Sequence, residues 1–175
     1  MSKTKIILTW GVIAGVVCAL HKVLLTVQGL SFSGWAYLNF LIFFLGLFIG
    51  IKQVKEKING GYIKFGQGYV VGLLITCVIV VIGLISVSIT LKFMPDLGAR
   101  LLDQLHTGMV DSGFSKDFID KMMLVEAKEY TPTMIIVNNV FGNLFVGAIL
   151  NLIAAGSNIK KKPYIDEEVQ ELPKD

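Results

Sequence analysis

Charge is scarce in this chain. Asp, Glu, Lys and Arg make up 17% of its 175 residues, against about a quarter in soluble domains. The scarcity is uneven: positions 23–51, 65–91 and 130–159 carry no charged side chain at all. Each of these stretches exceeds the roughly 20 apolar residues that cross a hydrocarbon core of about 30 Å. Cysteine is nearly absent. Cys18 and Cys77 both fall in apolar runs, where they read as small packing residues and imply no disulfide framework. Histidine is limited to His21 and His106. No cluster of ligands at metal-binding spacing gathers around either, so no metal or haem site is supported. No Gly-x-Ser-x-Gly elbow is present. No carboxylate interrupts an apolar run, which argues against a proton relay built on Asp or Glu. These absences exclude a disordered chain, a disulfide scaffold and a typical soluble enzyme. The expectation is a protein that is not an enzyme and holds no cofactor or metal.

What is present is apolar. Hydrophobic residues are 54% of the chain, mean hydropathy is +0.69 and Gly occurs 18 times. The runs Leu41-Ile42-Phe43-Phe44-Leu45 and Val78-Ile79-Val80-Val81-Ile82 are apolar all round. A soluble bundle helix would keep a polar face. Four spans are predicted, at about 6–27, 35–51, 68–91 and 133–155. The first two form a hairpin through the short turn Gln28 to Gly34. Run length favours helices, and the ten-residue alternation of a membrane barrel is absent. The predicted fold class is all-α: an integral membrane four-helix bundle in a single domain, 1–160. The first span is read as retained, because its apolar run is too long for a signal peptide and no small-x-small cleavage site follows it. Lys22 lies near the end of that span and is expected to snorkel to the headgroups.

Loop lysines and arginines set topology. Lys3, Lys5, Lys52, Lys55, Lys57, Lys64, Lys160, Lys161, Lys162 and Lys174 fall on one side. The long loop 92–132 carries five bases, Lys92, Arg100, Lys116, Lys121 and Lys128, against seven acids from Asp96 to Glu129. Both termini and the 52–67 loop are therefore predicted to be cytoplasmic, with 92–132 extracytoplasmic and 161–175 a disordered acidic cytoplasmic tail. The basic 52–64 stretch can also attract anionic membrane lipid.

Small residues allow close helix contact where the hydrophobic effect no longer separates helix faces. Gly11-x-x-x-Gly15, Gly46-x-x-x-Gly50 and Gly68-x-x-x-Gly72 place such pairs in three spans. They serve packing within the chain or dimerisation equally well. The fourth span differs. Asn139, Asn143, Gly147 and Asn151 recur every four residues and form one slowly drifting stripe. Amides facing lipid would be unsatisfied, so the stripe is expected to face inward, toward Thr76, Ser86 or Asn39. Interhelical hydrogen bonding is the plainer role for it, and a polar lining for a small solute the sharper one.

The outer loop reads as an amphipathic helical hairpin between spans three and four. Leu97, Leu101, Leu105 and Met109 stripe its first helix; Phe118, Met122 and Val125 stripe its second. Ser115 is positioned to cap that second helix, with Phe114 stapling onto Ile119. Pro132 after Thr131 gives the last span a capped start. The stretch from Gly60 to Gly68 is Gly-rich but lacks the Gly-Lys-Ser/Thr ending of a phosphate loop, and reads as a turn into the third span. Nucleic-acid binding has no support beyond a few lysines.

The segment Ile51-Lys52-Gln53, Lys55-Glu56-Lys57, then Asn59-Gly60-Gly61-Tyr62-Ile63-Lys64-Phe65-Gly66 leading into Gly72-Leu73-Leu74 resembles the domain of unknown function 4199 family. The likeness continues through Met94-Pro95-Asp96, the helical loop and Lys160-Lys161-Lys162. The resemblance implies a small bacterial four-span protein of the inner membrane, and it carries no activity and no functional residue. The function expected is a non-enzymatic structural or accessory membrane subunit, with membrane lipid and a second copy or another membrane protein as candidate partners. The alternative is a small oligomeric transporter or channel with Asn139, Asn143 and Asn151 lining the path.

Overall fold

The structure, a computed structural model, describes residues 2–160. Its helices are α1 (Lys3–Val27), α2 (Leu38–Lys57), α3 (Phe65–Phe93), α4 (Leu97–Asp111), α5 (Lys116–Glu129) and α6 (Pro132–Asn158), with a 3-10 turn at Gly34–Tyr37 leading into α2. α1, α2 with its lead-in, α3 and α6 are long and apolar enough to cross a membrane. The fold is the all-α four-helix bundle with a helical hairpin before its last long helix. The helices overrun the apolar stretches. α2 continues through Lys52, Lys55 and Lys57, where an i,i+4 pair between Lys52 and Glu56 at 4.0 Å supports the last turns. The tail expected at 161–175 lies outside the described residues.

The bundle has two unlike ends. At the lysine end, where α1 begins and α6 stops, the interior is packed mainly with apolar side chains. Ile6, Leu47, Ile51, Val71 and Ile75 are fully buried there. The six glycines of the paired motifs all face neighbouring helices of the same chain. Gly11 sits against Val78, Gly15 against Ile82, Gly46 against Ala14, and Gly50 against Trp10 and Ile75. Gly68 lies between Ile51 and Ala155, and Gly72 lies under Asn151. A Cβ at most of these positions would push helices apart, and in lipid such contact is itself the attraction.

The lysine end is closed by a clasp. Gly60 and Gly61 adopt φ of +61° and +87°, a region that costs other residues roughly 1–2 kcal/mol. Their turn brings Ile63, which is buried, alongside the end of α6. Ile63 N–H donates to the Lys160 carbonyl at 3.0 Å, and Lys160 N–H returns to the Ile63 carbonyl at 3.2 Å. The Lys160 ammonium lies over the Tyr62 ring, 5.6 Å from its centroid, a cation–π contact.

The other end is covered by α4 and α5. Ser115 Oγ accepts from Phe118 N–H at 3.4 Å, and Thr131 Oγ1 accepts from Met134 N–H at 3.4 Å, so both caps form. Phe114 stacks on Phe118, with centroids 5.1 Å apart. Ile119 is buried, whereas Phe118 and Val125 are exposed. In α4, Leu97 and Met109 are buried.

Candidate functional site

Lys22 is drawn into the bundle. Gly11, Gly15, Cys18 and Lys22 follow at steps of four, three and four, which keeps them on one helical face. That face carries the glycine contacts with α3, so the lysine stem leads inward rather than to the headgroups. Its ammonium donates to Asn143 Oδ1 at 3.1 Å. Snorkelling is thereby replaced by an internal hydrogen bond. Asn143 Nδ2 in turn donates to the Asn139 carbonyl at 2.6 Å and to Asn139 Oδ1 at 3.1 Å. Gly83 of α3 leaves room for both amides.

Around this chain of polar groups the helices leave two clefts. One, of about 160 Å³, lies between α1, α3 and α6 and is lined by Cys18, Lys22, Ser86, Thr90, Asn139 and Asn143. Leu97 and Leu101 of α4 contribute to its wall at the hairpin end. The second, of about 550 Å³, lies on the α2 side and shares Cys18, Lys22 and Asn143. It adds Ser31, Asn39 and Tyr130. Its size is in the range of small-molecule sites, about 300–1,000 Å³. Asn39 Oδ1 is buried with no hydrogen-bond partner among the described residues.

The hairpin is tied down beside these clefts. Gln104 Nε2 donates to the Thr26 carbonyl at 3.4 Å, and its Oε1 accepts from Ser31 N–H at 3.3 Å. Phe32 meets Tyr130 edge-to-face at 6.5 Å. Gly98 has no side chain to obstruct the Tyr130 carbonyl. Burial, with the Glu126 carboxylate adding to it, holds the Tyr130 phenol above its ordinary value, so at neutral pH it is a neutral O–H.

The asparagine stripe therefore serves two purposes. Asn139 and Asn143 line a cleft. One turn on, Gly147 is packed against Thr76 and Phe43. Asn151 is fully buried and donates from Nδ2 to the Tyr69 carbonyl at 2.7 Å. A further member escapes a four-residue count. Asn158, seven positions beyond Asn151, is buried and donates to the Ala154 carbonyl at 2.9 Å and the Phe48 carbonyl at 3.4 Å. Lys55 Nζ reaches the Asn158 carbonyl at 3.3 Å. Asn151 and Asn158 thus join helices in the apolar half. Cys18, Lys22, Thr26, Ser86 and Thr90 complete the polar lining of the cleft, and the phase of Lys22 relative to Gly11 and Gly15 was the sequence signal for it.

The arrangement has a chemical consequence. An ammonium offers three donors, and among the described residues Lys22 uses one, to Asn143. Interhelical amide bonds in membranes contribute about 0.6 kcal/mol, and Lys22 lies near the end of α1, where a charge costs less than at mid-bilayer. Lys22 lines both clefts, so its ammonium borders open space as well as Asn143.

Fold and cleft together define the class: an all-α membrane protein whose four long apolar helices leave polar clefts beside a helical hairpin. Residues 9–157 match the family described as Protein of unknown function (DUF4199), and the chain belongs to that family. No curated protein and no solved structure matches it.

Proposed function

We propose that this chain is a non-enzymatic accessory subunit of the bacterial inner membrane that holds an anionic ligand in the Lys22 cleft. In this reading the chain crosses the membrane four times, both termini are cytoplasmic, and the hairpin caps the cleft on the extracytoplasmic side. The lysine-rich and acidic loop distribution supports that orientation. The observation that carries the function is the inward Lys22 ammonium bonded to Asn143, in a bundle whose apolar stretches contain no carboxylate. The groups around it, amides, hydroxyls and one ammonium, are suited to holding a ligand.

The test uses the full chain in neutral detergent with inorganic phosphate, glycerol 3-phosphate and decyl phosphate as probes. A probe at about 100 times its Kd stabilises the folded state by about 2.7 kcal/mol. At least one probe should raise the melting temperature of the wild type by several degrees and leave Lys22→Met unmoved. No shift from any probe, or equal shifts in the variant, would overturn the reading. The oligomeric transporter is less well supported, because Gly147 against Thr76 and Phe43 closes the stripe beyond Asn143. Liposome flux of a small anion that Asn139/Asn143/Asn151→Leu abolishes would restore it.

A further inference from the structure

We infer that the ligand is a phospholipid-like amphiphile with an anionic headgroup, which reaches Lys22 sideways between α1 and α3 with an acyl chain lying in the groove on their outer face. The inference rests on the anion cleft proposed above and adds the class of ligand and its route.

The groove occupies about 350 Å³ and its wall is almost wholly apolar, with Val16, Leu20, Ile82, Ile85, Ile89 and Phe93 along it. Leu20, Ile85, Ile89 and Phe93 are exposed on the bundle surface. The groove and the smaller Lys22 cleft are neighbours: Ala19, Val23, Ser86 and Thr90 line both. Three of these four are small, so the partition between lipid-facing groove and polar cleft is thin.

The helix register sets the depth. Gly11 opposite Val78 and Gly15 opposite Ile82 make α1 and α3 a parallel pair with a constant offset. Extending that offset brings Lys22 level with Ile89. From Ile89 back to Ile82 the groove runs about 10 Å at 1.5 Å per residue. A headgroup at Lys22 would therefore sit toward the hairpin end, with its chain directed to the bilayer centre. That is the posture of a lipid in the leaflet on the hairpin side.

Charge fixes the sign of the headgroup. Lys22 makes no ion pair among the described residues, and Asp96 and Asp117 pair within their own helices, with Arg100 at 2.7 Å and Lys121 at 2.8 Å. The hairpin favours the lateral route. Leu97 and Leu101 lie at the cleft's hairpin end, and Gln104 fastens α4 to the end of α1. A free phosphate shares the headgroup's chemistry but has no use for the groove, which gives the experiment its two arms.

Native mass spectrometry of the full chain, released from zwitterionic micelles, is titrated with dioleoylphosphatidylglycerol, dioleoylphosphatidylcholine and glycerol 3-phosphate. The wild type should hold phosphatidylglycerol at least tenfold more tightly than phosphatidylcholine. Lys22→Gln should reduce that preference to within twofold, and Lys22→Arg should keep it. Ile85→Trp with Ile89→Trp, both on exposed groove positions, should weaken phosphatidylglycerol at least fivefold and leave glycerol 3-phosphate unchanged. Circular dichroism confirms that each variant is helical. Equal affinity for the two lipids, or a preference that survives Lys22→Gln, overturns the inference. Glycerol 3-phosphate bound in a Lys22-dependent manner without lipid discrimination leaves the anion cleft standing and removes the lipid. Indifference of all three probes to Lys22 removes both.

Discussion

Single side chains carry much of the specificity of this bundle. The amide of Asn151 occupies the space above Gly72 and bonds the Tyr69 carbonyl. Gly72→Ala should therefore displace the amide and destabilise the protein by about 1–3 kcal/mol, the usual cost of overpacking. Asn151→Ala in the same chain should recover part of that loss. A double-mutant cycle in detergent unfolding reads the coupling, and strictly additive effects would show that the two positions do not touch. Tyr130 gives a pH prediction. Its phenol is held above the ordinary tyrosine value by burial and by Glu126. The stability it lends is complete below about pH 10 and drains away as pH climbs through the raised value. The ultraviolet titration difference between wild type and Tyr130→Phe should show phenolate appearing above pH 10; a transition at or below that pH would mean the ring is solvated. Lys22 shows what could be read at this scale. Its presence in an apolar run was plain, but its partner Asn143 lies 121 residues away, and no local rule couples the two. Helical phase relative to the glycines does give its direction.

Elements were far more legible than their contacts. Three charge-free stretches and one apolar run mark the four long helices, because a bilayer demands length and apolarity and little else. Helix ends were less so, since charged turns such as Lys52 to Lys57 continue a helix after its apolar run has stopped. On α5 the buried face lies one residue off the Phe118 stripe: Ile119 is buried, while Phe118, stacked on Phe114, is exposed. The hairpin's attachment was not visible in the sequence: Gln104 is an ordinary polar residue until the fold places it against Thr26 and Ser31. Gln104→Ala should loosen α4. Cys18 lines both clefts, so its modification by a small membrane-impermeant thiol reagent should quicken several-fold, while a cysteine introduced at the exposed Lys116 serves as the reference. An unchanged ratio of the two rates would mean that α4 does not restrict access.

The whole molecule is an apolar, glycine-packed half joined to a polar, cleft-bearing half. Its expected placement can be checked directly. In intact cells an impermeant maleimide should label a cysteine introduced at Gly113 and spare one at Glu56; the reverse pattern would invert the topology. The two halves also differ in where along the chain their parts come from. Lys22 belongs to α1, and its hydrogen-bond acceptor to α6, which is made after α2 and α3. Throughout synthesis of α2 and α3 the nascent chain therefore exposes an unmatched cation within the membrane. Chains truncated before Pro132 should be retained by the insertion machinery or degraded, and Lys22→Leu should relieve that fate. The arrival of α6 would in this way be registered at a single ammonium group.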